Sequence, residues 1–331
     1  MKDFSHWGIK KRIFPDHNYY AVWNNLKTIR LGEGHATELP PEYSEFYDVG
    51  INTRCNAGAP ILDKNGDVII GKDGKPKTFG KACDFCYVDA LNTGKDYEGI
   101  CETWKKWMNT FTTIVKNGVT ITNAPTQIAT GSTGCPTVHP EFCDFMETVY
   151  NTGVVPNYTT NGITIANEDE LSERILDTTR RFCAGVAVSL GNKSLHKYAN
   201  KAIQLLLDKG DTNVNIHHII SDKKSVDDFL KTQKKYGSDI LYHVLLPLMP
   251  SGRSTKGVEE GAFEYLEEII EKNNISNVAF GAHFIERLKT SNIPTWLYEA
   301  ESFSKNVILT KDKVQITPSS FDLNPIKIIE L

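Results

Sequence analysis

The sequence predicts an α/β fold: a partial, open (β/α)6-type TIM barrel with an N-terminal cap and a small β-rich C-terminal tail. From about residue 50 onward, β-rich segments alternate with helical segments, giving about six or seven βα units, too few for a closed barrel of eight. Polar residues, glycines and cysteines collect where the predicted strands end, and chemistry on barrels gathers at those carboxyl ends. A doubly wound open sheet has the same alternation and stays an alternative.

The predicted elements follow one another in a regular order. A strand is expected just before Cys55. The first helix carries apolar residues at helical spacing from Ile100 to Val115, and Asn117-Gly118 ends it. The pattern then predicts strands over residues 127–130, 156–160, 185–190, 213–220, 240–246 and 278–283, and helices over residues 140–153, 168–180, 195–209, 226–236 and 262–272.

Three parts are predicted along the chain, without a long linker between them. Residues 1–50 form a cap segment, residues 51–250 the barrel, and residues 251–331 a C-terminal extension. Within the barrel part, residues 56–82 form an insertion. Asn-Gly and Asp-Gly dipeptides stand there between β-rich runs and are typical of tight hairpin turns, so we expect a three-stranded meander.

Composition and charge narrow the classes of function. The chain has 331 residues and a formal net charge of -4 at pH 7, so no general nucleic-acid binding is expected. It has neither the apolar stretch of a secretory signal nor a membrane-spanning window, and we expect a cytoplasmic protein with no membrane partner. The seven cysteines are therefore expected to be reduced thiols or metal ligands. Cys101, Cys143 and Cys183 fall in helical or buried strand-like stretches, where a thiol is usually an apolar filler.

Two motifs carry the chemistry. Cys55, Cys83 and Cys86 precede Tyr87, and the meander would return the chain so that Cys55 lies beside the other two. A Cys-x2-Cys pair is also typical of zinc sites, with Cys101 or His35 as a further ligand, and of redox pairs. The second motif is the turn over residues 131–134, which taken alone is a candidate phosphate-binding turn before a helix.

Without the insertion the cysteines would have roughly the spacing Cys-x3-Cys-x2-Cys, which resembles the cluster loop of the radical S-adenosylmethionine (SAM) superfamily. Residues 133–140 are similar to the family's Gly-Gly-Glu-Pro segment, with Cys135 where Glu is usual. Thr160-Asn161-Gly162 resembles its Thr-Asn-Gly, and residues 246–250 resemble its last barrel strand. Residues 301–304 and 316–322 resemble SPASM or twitch tails, although no cysteine for an auxiliary cluster lies beyond Cys183.

The resemblance implies a 4Fe-4S cluster on Cys55, Cys83 and Cys86, with the fourth iron open to the amino and carboxylate groups of SAM. It implies reductive cleavage of SAM to a 5′-deoxyadenosyl radical, with flavodoxin or ferredoxin as electron donor. The tail favours a peptide or protein substrate. The residues expected to contact SAM are Phe85, Tyr87, Gly131, Ser132, Thr133, Gly134, Thr160, Asn161, Ser189 and Met249.

Several alternatives stay open at this point. Cys135 is a candidate catalytic residue, as hydrogen donor or substrate radical, or else a buried spectator thiol. His217 and His218 are either satisfied strand-end histidines or face the cavity. The rival functions are a non-enzymatic protein with structural zinc or a sensing iron-sulfur site, and a family member that has lost catalysis through the Cys135 replacement.

Overall fold

A computed structural model describes residues 9–14, 19–24, 27–32, 39–210, 213–293 and 304–331. Fifteen strands occur in these ranges and are numbered along the chain. They are β1 Ile9–Phe14, β2 Tyr19–Asn24, β3 Lys27–Gly32, β4 Phe46–Gly50, β5 Thr113–Lys116, β6 Val119–Thr122, β7 Gln127–Thr130, β8 Val155–Thr160, β9 Gly185–Ser189, β10 Asn213–Ile220, β11 His243–Pro247, β12 Val278–Phe280, β13 Ser304–Thr310, β14 Lys313–Thr317 and β15 Lys327–Glu330.

Along the chain, the helices occur in the segments that connect the strands. They are α1 Ile100–Met108, α2 Phe142–Asn151, α3 Ile163–Ala166, α4 Glu170–Phe182, α5 His196–Lys209, α6 Lys223–Tyr236, α7 Ala262–Lys272 and α8 Ile285–Leu288. Asp169 and Asp222 cap the first turns of α4 and α6 by accepting hydrogen bonds from Ser172 N and Ser225 N, at 2.8 and 2.7 Å. No helix in the described ranges is long and apolar enough to cross a membrane.

The main sheet has ten strands in the order β12-β11-β10-β9-β8-β7-β4-β13-β14-β15. All neighbours from β12 to β13 are parallel, and β14 and β15 continue the sheet in antiparallel pairs. Within the described chain, β12 and β15 are edges that do not pair with one another, so the sheet is not closed. The predicted α/β open barrel is confirmed, and the predicted strands at 127–130 and 213–220 have the observed bounds.

A second sheet contains the N-terminal strands and a hairpin, in the order β3-β2-β1-β6-β5. The hairpin corrects the prediction of the first helix. Helix α1 ends at Met108, and Ile114 and Val115 are exposed residues of β5. Asn117 and Gly118 have φ values of 52° and 74°, which suit a two-residue hairpin turn. The β-branched residues on both sides of that turn favour strands and outweigh the helical spacing.

The main core fills the space between the sheet and the surrounding helices. Tyr47 and Val49 of β4 belong to it, as do Tyr158 of β8 and Val188 of β9. Side chains alternate between the two faces of a strand, so the residues next in sequence to these core residues face the barrel interior. Those interior residues include Asp48, Asn157, Thr159, Ala187, Ser189, Asn215 and His217.

Three short extended segments occupy the insertion after Cys55. Backbone hydrogen bonds of 2.8 to 2.9 Å join Ile61 with Lys77, Ile69 with Ile61 and Lys77 with Ile69. A further pair of 2.9 Å connects Gly58 N to Phe79 O and Phe79 N to Ala59 O. Each of the three segments is thus bonded to both of the others, whereas in the predicted meander the first and third segments would not pair, and the two ends of the insertion lie side by side.

Candidate functional site

The three motif cysteines lie at the carboxyl edge of the barrel. Cys55 and Cys83 border the same small apolar cluster, and Cys86 N approaches Cys83 O at 3.4 Å. Burial raises the pKa of Cys55 to about 12, and negative charge on Cys135, Cys83 and Cys86 adds to the increase. Burial likewise raises the pKa of Cys83. The insertion thus returns the chain so that Cys55, Cys83 and Cys86 lie near one another, with Cys135 beside them.

Two asparagine amides point at the sulfurs. Asn161 Nδ2 donates to Cys55 Sγ at 3.5 Å, and Asn192 Nδ2 donates to Cys83 Sγ at 3.2 Å. Asn161 was a predicted site residue, whereas Asn192 was missed because it lies 109 residues away from Cys83. Donors of this kind stabilise negative sulfur, and hydrogen bonds to the sulfurs help set the reduction potential of an iron-sulfur cluster.

Cys86 is held from the other side by the loop after β11. Arg253 N donates to Cys86 O at 3.0 Å, and the Arg253 guanidinium faces the Cys86 thiol. At Gly252 an added Cβ would lie 2.2 Å from Cys86 O, so only glycine permits this approach. The sequence signal for this contact is the Gly252-Arg253 pair, one residue beyond the segment 246–250 that resembles the family's last strand.

The donor set fits a four-iron cluster, in which each of three thiolates takes a different iron. Among the described residues, no three His, Cys, Asp or Glu side chains are arranged to hold a single metal ion. Cys101, the candidate fourth zinc ligand, lies on α1 and makes its hydrogen bond with Thr148 of α2. His35 lies outside the described residues.

The turn over residues 131–135 is fastened to the chain just before Cys55. Thr133 Oγ1 donates to Asn52 O at 2.6 Å, Asn52 Nδ2 donates to Cys135 O at 2.9 Å, and Cys135 N donates to Arg54 O at 2.8 Å. At Gly134 an added Cβ would lie 2.4 Å from Asn52 Oδ1. This close approach requires glycine. It places the predicted SAM-binding turn next to the cysteine loop, which comprises Cys55 and residues 83–86.

Cys135 lies in a niche of hydroxyl groups. Its Sγ is 3.4 Å from Thr137 Oγ1 and 3.6 Å from Thr160 Oγ1, and only 7% of the residue is exposed. Thr160, also a predicted site residue, approaches Thr137 Oγ1 at 3.2 Å. The role of Cys135 stays a prediction, but its position beside Cys55 keeps it within the candidate site.

The C-terminal tail covers Tyr87, which follows the last motif cysteine. The ring centroids of Phe321 and Tyr87 are 4.4 Å apart, and Phe321 also meets His283 at 4.7 Å. Tyr87 Oη donates to Ser132 O at 3.1 Å, while Ser132 Oγ is buried without a partner in the described chain. The tail segment 316–322 therefore borders the candidate site, and the segment 301–303 lies outside the described residues.

A cavity of about 430 Å³ opens beside the cysteine loop. Phe85, Ile219 and Leu248 give it an apolar side, and charged residues including Lys193 and Asp222 lie at its outer side. At Gly191 an added Cβ would lie 2.8 Å from Phe85 Cζ and 2.7 Å from Ile219 Cγ1, so both side chains pack closely against the Gly191 backbone. The predicted residue Met249 is next to this lining but does not belong to it.

The remaining predicted positions lie on neighbouring strands. Ser189 ends β9 and pairs in register with His217 of β10, so both face the barrel interior. Burial lowers the pKa of His217 to about 4, and the ring is neutral at physiological pH. His218 faces the opposite side, where its Nε2 lies 3.0 Å from His243 Nδ1. His218 also borders the cavity beside Phe85, so the roles of the two histidines stay predictions.

No known family model matches this chain, and no curated protein matches its sequence. Solved structures do match. Streptococcus suis SuiB bound to S-adenosylmethionine superposes with a TM-score of 0.54 at 12% identity, over 84% of this chain and 60% of SuiB. SuiB bound to its precursor peptide SuiA gives 0.54 at 12% over 85% and 60%, and SuiB alone gives 0.51 at 11% over 84% and 60%.

The chain shares its fold with SuiB. It spans 60% of the length of SuiB. At 12% sequence identity, the similarity is one of fold and does not extend to individual site residues. The match agrees with the open barrel and the parallel sheet described above.

Proposed function

We propose that this protein is a radical SAM enzyme that acts on a peptide or protein. The observation that carries the proposal is the meeting of Cys55, Cys83 and Cys86 at the carboxyl edge of an open barrel, with amide groups donating to two of the sulfurs. The fold shared with SuiB, a structure of which holds S-adenosylmethionine, supports it.

Cys55, Cys83 and Cys86 would hold a 4Fe-4S cluster through one thiolate each. When bound, the cluster supplies one electron that cleaves SAM to methionine and a 5′-deoxyadenosyl radical, which removes a hydrogen atom from the substrate. The protein keeps Cys55 and Cys83 in place through the amides of Asn161 and Asn192. Their N–H groups would stabilise the negative sulfurs and help to tune the potential.

SAM would lie between the turn 131–134 and the cavity beside Phe85. The turn offers backbone oxygens and the buried Ser132 hydroxyl, which still needs a partner. Phe85, Ile219 and Leu248 form an apolar surface suited to the adenine ring. The absence of a side chain at Gly191 leaves room for Phe85 and Ile219 on that surface.

The substrate class and the electron donor are the finer parts of the proposal. A structure of SuiB holds its precursor peptide SuiA, and the same fold here favours a peptide or protein substrate. A one-electron donor such as flavodoxin or ferredoxin would reduce the cluster. Cys135, buried beside Cys55, is the candidate for donating a hydrogen atom.

The test compares two cysteine variants of the full chain after anaerobic reconstitution with iron and sulfide. Cys83→Ala removes a proposed cluster ligand, whereas Cys101→Ala removes a thiol that bonds to Thr148 on the outer helices. With dithionite and SAM, we expect 5′-deoxyadenosine from the wild type and from Cys101→Ala, and none from Cys83→Ala. Equal yields from both variants would overturn the proposal, and zinc retained in place of iron would favour the structural-metal alternative.

A further inference from the structure

Asp48 and Asn306 are neighbours on the inner side of the barrel wall. They are paired in register on the parallel strands β4 and β13. The residues flanking them, Tyr47, Val49 and Val307, belong to the core outside the barrel, so Asp48 and Asn306 point to its interior. Adjacent strands lie about 4.8 Å apart, and the two side chains therefore leave the wall close together.

The orientation of the Asn306 amide is fixed by its neighbour. Thr317 Oγ1 donates its one hydrogen to Ser319 O at 3.0 Å, so it can only accept from Asn306, whose amide atom lies at 2.9 Å. The Asn306 NH2 group must therefore face Thr317, and Oδ1 faces away. In the described chain this oxygen is buried and has no hydrogen-bond partner, and the residue is 1% exposed.

Asp48 places a second acceptor beside this oxygen. No hydrogen bond reaches its carboxyl group from the described residues, and burial raises its pKa to about 7. Tyr87 is a titratable group near Asp48, and the Asp48 charge contributes, after burial, to raising the pKa of Tyr87 to about 12. The buried Asn306 oxygen is costly because it lacks the hydrogen bond that water would give, and Asp48 adds a half-buried second acceptor beside it.

We propose that Asp48 and Asn306 form a substrate subsite that binds a cationic N–H group, the ammonium or guanidinium of a basic peptide side chain. Both oxygens accept, so the ligand must donate at least two hydrogens, and the carboxylate selects a positive charge. The subsite lies next to Tyr87 and so beside the cysteine loop. Assigning the ligand to the substrate rests on the proposed function.

The test measures binding of four capped tripeptides to the full chain, with and without the reconstituted cluster. The probes are acetyl-Ala-X-Ala-amides with X as Lys, Arg, Leu or Glu. We expect the Lys or Arg peptide to bind at least about tenfold more tightly than the Leu and Glu peptides. A difference of this size corresponds to the gain of one hydrogen bond to a charged group. The Lys and Arg peptides distinguish an ammonium site from a guanidinium site.

Three variants decide the assignment. Asp48→Asn keeps the shape and should abolish the preference for cationic peptides. Thr317→Val frees the Asn306 amide to rotate and should reduce the preference, whereas Thr103→Val, which removes a buried hydroxyl from α1, should not. Because the cysteines are not needed for this binding, loss of SAM cleavage alone would refute the proposed function and leave the subsite standing.

Equal binding of all four peptides, or an unchanged preference in Asp48→Asn, would overturn the inference. The same holds if isotope-edited infrared spectra show a protonated Asp48 bonded to Asn306 that the Lys and Arg peptides do not disturb. In that case the two side chains satisfy each other and form a structural pair.

Discussion

Replacing Asp48 by Asn should change how the stability of the protein depends on pH. Asp48 lies on β4, faces the barrel interior, and has a pKa raised from 3.8 to about 7 by burial. In the unfolded chain the carboxyl group loses its proton near its ordinary pKa, while in the folded protein it keeps the proton to about pH 7. Folding therefore loses stability as the pH rises between these two values, and the full cost is present above the higher one.

The size of the effect follows from the two pKa values. Each tenfold change in proton affinity corresponds to about 1.4 kcal/mol, so the whole interval corresponds to about 4 kcal/mol. Asp48 is only half-buried, and solvent screening reduces this to about 2–4 kcal/mol. Asn cannot ionise. Asp48→Asn should therefore stabilise the folded protein by this amount at about pH 8 and by little at about pH 4.

Urea unfolding of the metal-free, reduced protein at several pH values measures the difference. Asp67→Asn, in the exposed insertion, is the matched control and should follow the wild type at every pH. The reasoning fails if Asp48→Asn follows the wild type as well. It also fails if the variant is less stable at about pH 8, since that would mean that the carboxylate has a favourable partner in the fold.

Two further predictions concern the candidate site. Gly191→Ala places a methyl group 2.7 Å from Ile219 Cγ1 and 2.8 Å from Phe85 Cζ and should weaken SAM binding about tenfold in calorimetry, an overpacking cost of about 1–3 kcal/mol. Gly257→Ala, whose methyl group meets only Leu248 O at 3.9 Å, should leave binding unchanged, and equal affinities would contradict the placement of SAM. Asn192→Ala removes the donor to Cys83 Sγ and should lower the cluster potential by about 40 mV in a redox titration, the equivalent of one hydrogen bond of about 1 kcal/mol. The control Asn200→Ala on α5 should leave the potential unchanged. An unchanged potential in Asn192→Ala as well would show that this contact does not tune the cluster.

The regular part of the fold could be predicted from sequence because its signals are local. Strands β7 and β10 and helix α7 have the predicted bounds. In this part of the sequence, β-rich segments and helical segments alternate clearly along the chain. The segment after α1 could not be assigned in this way. Its apolar residues, Ile114 and Val115, continue a helical spacing by coincidence, and the Asn117-Gly118 turn fits a helix end as well as a hairpin.

The candidate site was only partly predictable, for a different reason. Cys55, Cys83 and Cys86 stand out by residue type and by their resemblance to a known loop. Asn192 and Asp48 carry no such signal, because their importance depends on which strands are neighbours and on which face each residue lies. Asp48 gains its partner Asn306 only when β13, from the far end of the chain, pairs with β4.

The central claim is that Cys55, Cys83 and Cys86 hold a 4Fe-4S cluster whose fourth iron binds SAM. Electron paramagnetic resonance of the anaerobically reconstituted, dithionite-reduced protein, recorded with and without SAM, tests it most directly. We expect the signal of a reduced 4Fe-4S cluster whose g values shift when SAM is added. A cluster signal that SAM leaves unchanged, or a protein that takes up zinc and no iron, would contradict the account.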